Sequence, residues 1–302
     1  MKSVYPDFLK PDSFAIFLFH GVIPSQRHSV RNYTRKHLLV DHFCSILREL
    51  IQAGSPVSMK EIVEATKGSC TLTPNAFAIT FDDGFANNFE VAAPILAEFN
   101  IPATFYVTTG FVESKIRSWP DLIEAALEES PSFELVGWGE EFDGRFESDK
   151  GKMALMDRVR NYAKSNADVD PTQFSFKLAS AILSRDPQFD EMLDKKMSWN
   201  QVRNLASNSL FDVGGHSHTH RILSFLPLSE MLNEIDASIA LLEEHLSIPI
   251  RHYSYPEGLA HCYSGQVIDA LVDRGILCSP TAIQGVNRVG DDLFHLRRIF
   301  VV

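Results

Sequence analysis

Two short stretches of the chain carry the residue types that metal-assisted hydrolysis needs. The first is A-F-A-I-T-F-D-D-G-F, in which Asp82 and Asp83 close an otherwise apolar run. Adjacent carboxylates repel, and burying either is costly unless a positive partner accompanies it. The second is V-G-G-H-S-H-T-H at 213–220, where His216, His218 and His220 alternate. On a helical turn His216 and His220 share a face and can chelate one ion, whereas on an extended segment all three histidines share a face. A divalent metal held by one Asp and two His supplies the missing positive charge. It leaves the other carboxylate free to move a proton, so one acid ligates and one acts as base. Each stretch alone has an ordinary reading, a turn for Asp-Asp-Gly and a solvated loop for the histidines. Both, however, end apolar strands in one chain.

The elements that must position them alternate. S-F-A-I-F-L-F-H-G-V reads as a buried strand with His20 at its end. A helix follows with Phe43, Leu47 and Leu50 on one face and Gly54 as its stop. Ser58 with Glu61 fits a capping box opening a short helix. F-A-I-T-F is the second strand, N-F-E-V-A-A-P-I-L-A-E-F-N a helix containing Pro94, and A-T-F-Y-V the third strand. Strand, helix, strand at this rhythm implies parallel crossovers.

Residues at about 113–197 break the rhythm. W-P-D-L-I-E-A-A-L-E-E looks helical, V-G-W-G-E-E-F-D-G-R-F reads as a small hairpin, and two or three polar helices follow. The block is expected to be an insertion within one domain spanning 1–302. Alternation then resumes with a helix capped by Ser198, the strand L-F-D-V-G-G, and a helix stepping through Leu228, Leu232, Ile235, Ile239, Leu242 and Leu246. Strands are expected near R-H-Y-S-Y and I-L-C-S, with a helix between, and the tail L-F-H-L-R-R-I-F-V-V as the last. About seven strands result. A barrel is favoured over an open sheet because no Gly-rich phosphate loop follows the first strand, and barrel active sites lie where strands end.

The 302 residues are 45% hydrophobic and 22% charged, enough for a large core. With 28 basic against 39 acidic residues the net charge is −11, which argues against a nucleic-acid or anionic-membrane surface. The apolar run Phe14 to Phe19 is too short to span a bilayer. M-K-S-V-Y-P-D-F-L-K-P-D-S lacks an apolar leader segment, and Cys44, Cys70, Cys262 and Cys278 form no CxxC pair. Free thiols in a reducing, cytoplasmic compartment are the expectation.

T-F-D-D-G and H-S-H-T-H resemble the first two motifs of the polysaccharide deacetylases, the carbohydrate esterase family 4 or NodB-homology proteins. F-L-F-H-G-V, I-P-A-T-F-Y-V, S-W-N-Q-V-R-N-L and L-S-F-L agree in order. The resemblance implies a distorted (β/α)7 barrel, here with a mainly helical insertion. It also implies removal of acetyl groups from N- or O-acetylated sugars with a divalent metal, foremost zinc. The family pattern H-[ST]-x-x-H selects His216, Ser217 and His220 and leaves His218 variable. Carried over, Asp82 is the general base, and Asp83, His216 and His220 are the metal ligands.

The family's third motif falls on Ser254-Tyr255-Pro256-Glu257, followed by Gly258, with Ser254 replacing an arginine and Glu257 an aromatic. A subgroup with F-x-Y-P-x-G is similar at this point. A backbone N–H of the turn Tyr255, Glu257 or Gly258 is expected to hold the oxyanion, since Pro256 has none. The C-terminal L-x-H is absent, and L-R-R-I resembles the L-P-R-I ending of the same subgroup. His20 is then the leading general acid, ahead of His295 and His252, and Arg298 is the candidate for the missing guanidinium beside Asp82. Phe85, Trp199 and Tyr255 are candidate sugar platforms. Two rival readings use the same scaffold: hydrolysis of a small cyclic amide or ureide, and a catalytically weak carbohydrate-binding homologue.

Overall fold

A computed structural model of the chain describes residues 3–114 and 117–302. Residues 115 and 116, inside the expected insertion, and the first two residues lie outside the described residues. The chain forms two compact units, one of Met1–Pro24, His37–Lys115 and Lys196–Val302, the other of Ser25–Lys36 and Ile116–Lys195. In chain order the strands are β1 (Phe14–Phe19), β2 (Gly21–Ile23), β3 (His37–Leu39), β4 (Ser55–Pro56) and β5 (Ala76–Phe81). They continue as β6 (Ala103–Val107), β7 (Phe133–Leu135), β8 (Gly144–Phe146), β9 (Phe211–Gly215) and β10 (Ile299–Phe300).

The first unit is built on the parallel order β10-β1-β5-β6-β9. β4 takes the early half of one β5 edge at Ala76 and Phe77, and β6 takes the later half from Ile79. Beyond β9 the sheet is carried by single bridges. Gly215 pairs with Tyr253 and His252 with Cys278, both parallel. Ser279 and Thr281 donate to Leu293 and Leu296 carbonyls, and Arg298 to that of Ile283, which returns the circuit to β10. The strands expected at R-H-Y-S-Y and I-L-C-S are therefore reduced to bridges, which is the distortion of the barrel. β2 and β3 form a separate parallel pair that the sequence reading did not anticipate.

Side-chain alternation explains why these strands are buried on both faces. In β5, Phe77, Ile79 and Phe81 belong to the core shared with the helices, whereas Ala76 and Ala78 join a second cluster with Phe14 and Ile16. Phe19, Phe81 and Phe105 are neighbours in register and stack at 5.3 Å and 5.1 Å between ring centroids. Large residues alternate with small ones, so Thr80 and Asp82 lie on the side opposite the phenylalanines.

Helix signals were legible. Val40–Ala53 buries Phe43, Ile46, Leu47 and Leu50 and stops at Gly54. Ser58 and Ser198 each close a capping box, with Glu61 and Gln201. Pro94 follows a wide π-type turn at Asn88–Ala92, consistent with its missing N–H and its ring crowding the preceding turn. Leu228–Leu246 is one helix, but its buried residues are Met231, Glu234, Ile235, Ser238, Ile239 and Leu242, and Leu228 is exposed. Ile235, Ile239 and Leu242 are buried as expected and Leu232 and Leu246 pack partly buried against the same core, with the polar Glu234 and Ser238 among them.

The second unit has a core of its own, with Ile123, Leu127, Leu155, Met156, Val159 and Leu178 fully buried. Its helices are Trp119–Glu129, Asp149–Ser165 and Pro171–Ile182, and β7 and β8 form an antiparallel hairpin. No helix among the described residues is long and apolar enough to cross a membrane.

Candidate active site and metal centre

Asp82 N–H makes the last ladder bond of β5, to the Phe19 carbonyl at 3.0 Å. The chain then turns through the left-handed region at Asp83 (φ 75°) and Gly84 (φ 77°), which separates the two carboxylates. The histidines leave β9 in the same way. Ser217 (φ 58°) and His220 (φ 61°) are left-handed, so the segment is neither the helical turn nor the extended run weighed from sequence. Left-handed non-glycine residues are uncommon and concentrate at functional sites. Here Asp83, Ser217, His220 and Glu257 (φ 60°) all belong to the predicted site.

Asp83, His216 and His220 each offer one ligand atom within 4.8 Å of the others. Asp83 Oδ1 is 3.6 Å from His216 Nε2 and 3.2 Å from His220 Nε2. His216 Nδ1 lies 2.9 Å from the Ser254 carbonyl oxygen. A carbonyl only accepts, so Nδ1 carries the proton and Nε2 keeps its lone pair toward Asp83. Burial lowers the His216 pKa, and His220 adds to this against Asp82 and Asp83, which favours the neutral ligand form. Two imidazoles and a carboxylate with a fixed tautomer fit a divalent cation. His218 is not in the group; its Nδ1 is 2.9 Å from Thr109 Oγ1.

Asp82 has a different environment. Arg298 Nη1 and Nη2 donate to its two oxygens at 2.8 Å and 2.7 Å, and both residues are buried, 1% and 3% exposed. Arg298 Nη2 also donates to Ser254 Oγ at 2.9 Å, and its Nε to the Thr281 carbonyl at 2.6 Å. Burial alone would raise the Asp82 pKa. Arg298, His216 and then His20 more than offset it and hold the carboxyl below the ordinary aspartate value. Ser254, at the family's arginine position, thus touches the guanidinium that Arg298 brings from the far end of the chain.

His20 follows β1, half-buried, with its ring 5.4 Å from that of Phe300, and its charge reaches Asp82. The weaker candidates are placed elsewhere: His295 is exposed and paired with Asp292 at 2.8 Å, and His252 is buried against Cys278 Sγ at 3.2 Å. In the 255–258 turn, Gly258 N–H is taken by the Pro256 carbonyl at 2.7 Å. The Tyr255 ring is fully buried against Tyr263 at 4.3 Å, and Phe85 is buried beneath the Lys196 ammonium at 3.2 Å. Trp199 stacks on His245 at 4.0 Å. The buried pair offers no open face to a sugar, which corrects the expectation for Phe85 and the Tyr255 ring.

Residues that sequence reading passed over surround the ligands. Tyr253 OH accepts from Ser217 N at 2.9 Å, and Gly110 N donates to the His218 carbonyl at 2.7 Å. A Cβ on Gly215 would fall 2.5 Å from the Tyr253 ring, so the glycine before His216 lets that ring pass. The G-G pair was the visible signal; Tyr253 had none.

A family model described as polysaccharide deacetylase matches residues 70–141 and 159–277. The chain is 28% identical over 151 residues to the poly-beta-1,6-N-acetyl-D-glucosamine N-deacetylase of Escherichia coli (strain K12). That match covers 48% of this chain but only 19% of the curated relative. Among solved structures, IcaB from Ammonifex degensii superposes with TM-score 0.63 at 20% identity, covering 97% of this chain and 94% of that one. The Streptococcus pyogenes deacetylase PplD, in complex with acetate, gives 0.62 at 15%, covering 97% and 93%. The Bordetella bronchiseptica BpsB deacetylase domain gives 0.61 at 18%, covering 97% of each chain. These likenesses show a shared fold. The family match, which spans more than half of the sequence and includes Asp82, Asp83, His216 and His220, places the chain in the polysaccharide deacetylase family.

Proposed function

We propose that the chain is a metal-dependent hydrolase that removes acetyl groups from an N-acetylated sugar or polysaccharide, with zinc as its metal. The observation that carries this is the division of labour between adjacent carboxylates: Asp83 faces two imidazoles, while Asp82 is paired with Arg298. A divalent ion bound by Asp83, His216 and His220 supplies a Lewis acid that brings the pKa of water toward neutrality and polarises an acyl oxygen. Asp82 is the base that accepts the proton of the attacking water, and Arg298 keeps it ionised and fixes its orientation. A backbone N–H of the 255–258 turn donates to the developing oxyanion. His20 delivers the proton that the leaving nitrogen requires. Residues at about 113–197 are read as an insertion within one catalytic domain spanning 1–302.

The names of the relatives make an N-acetylglucosamine oligomer the first substrate to test. Acetate release from it should require added zinc and disappear with a chelator. Turnover of a cyclic ureide with no acetate release from any acetylated sugar in a panel would overturn the reading in favour of the rival hydrolase.

A further inference from the structure

The loop carrying the two histidines is held from the side by a carboxylate that touches neither ligand. Glu234, on Leu228–Leu246, is buried to 8% exposure. Its Oε2 accepts from His218 N at 2.9 Å and Thr219 N at 2.7 Å, and its Oε1 accepts from Thr219 Oγ1. These are amides between His216 and His220. One turn along the same helix face, Ser238 Oγ lies 2.9 Å from Tyr253 OH, which accepts from Ser217 N. Ser217 Oγ accepts from His220 N at 2.9 Å, so the amides from 217 to 220 all have partners. The opposite edge is bonded too: Thr108 Oγ1 donates to the His216 carbonyl, Thr109 N to that of Ser217 and Gly110 N to that of His218.

Glu234 is a charged residue inside an apolar helix face, a costly placement unless its oxygens are well bonded. The loop needs such a holder. Two of its residues are left-handed, a conformation that persists only where the surroundings impose it. We infer that Glu234 is a positioning residue that sets the metal affinity of the histidine pair through the backbone of residues 218 and 219. Its carboxylate bonds residues 218 and 219 and is not among the ligand group of Asp83, His216 and His220. The inference rests on the metal site of the preceding reading and adds a residue to it.

The test is zinc affinity by chelator competition, with amide hydrogen exchange read in the metal-free protein. Glu234→Ala should weaken zinc binding by roughly 10–100-fold, the usual scale for partners of metal ligands. Exchange should accelerate at 217–220 and stay unchanged in β5 and β6. Glu234→Gln keeps an oxygen for the two amides and should recover most of the affinity. Should Glu234→Ala not fold, Thr219→Val, which removes only the hydroxyl donor, should still weaken zinc binding severalfold relative to the wild type. Equal affinity in a folded Glu234→Ala protein, or Gln as damaging as Ala, overturns the inference. In the second case the charge alone matters. A wild-type protein that binds no zinc overturns the metal reading as well, so the two failures are separable.

Discussion

Asp82 is under opposing influences, and the winner decides whether it can act as a base. Burial favours the neutral acid, while Arg298, His216 and His20 favour the carboxylate and prevail. A carboxyl with a depressed folded pKa contributes stability above the unfolded value of about 3.9, and this is lost as pH falls through the lower folded value. In Arg298→Gln the main offset is gone and burial dominates. The acidic limb of kcat/KM should then move to higher pH, and the fold should lose about 3–5 kcal/mol, the scale of an orphaned buried charge. Denaturant melts with a pH–rate profile check both. His218→Ala should retain zinc, because the ring bonds Thr109 and lies outside the ligand group. Zinc loss as complete as in His216→Ala would reverse that assignment. His20→Ala should lose roughly 10²–10⁴-fold in turnover on an acetamido sugar, the scale of a lost general acid. It should lose less on an activated aryl acetate, and equal losses would make His20 a positioning group.

Strand ends place the site, and the turns after them give it shape. Gly110 approaches the histidine loop so closely that a Cβ would meet the His218 carbonyl oxygen at 2.5 Å, against backbone that cannot rotate away. Gly110→Ala should therefore weaken zinc binding by roughly tenfold or more while far-UV circular dichroism stays native. The apolar runs of β1, β5, β6 and β9 and the capping serines were readable because they are local patterns. So were Asp82, Asp83, His216 and His220, whose residue types and placement at strand ends are informative together. Glu234 and Tyr253 were not readable. Their role comes from tertiary contact, and the apolar periodicity along Leu228–Leu246 does not register a glutamate and a serine on the same buried face. The bridges at Tyr253 and Cys278 were read as strands because buried apolar character does not report ladder length.

The whole molecule carries a net charge of −11, and some of its charged groups are buried as ion pairs. In the 25–36 and 116–195 unit, Arg31 and Asp194 form a buried ion pair, with Arg31 Nη1 donating to Asp194 Oδ2 at 3.3 Å. Burial raises the Asp194 pKa despite Arg31, whereas burial would lower the Arg31 pKa but Asp194 raises it. Desolvation offsets the attraction in a buried pair, which makes it a weak source of net stability. Arg31→Ala should nonetheless cost about 1–3 kcal/mol, because Asp194 then relies on Arg117 Nε at 3.4 Å and the Asp190 N–H at 2.8 Å. Arg31→Met with Asp194→Leu should be less damaging than the single change, as read by urea melts. For the molecule as a catalyst, the most direct measurement is acetate release from an N-acetylglucosamine oligomer by zinc-loaded wild type and Asp82→Asn, with bound zinc quantified in both. The account predicts equal zinc content and a loss of roughly 10²–10⁴-fold in the variant. Full acetate release by Asp82→Asn, or by wild type stripped of metal, would contradict it.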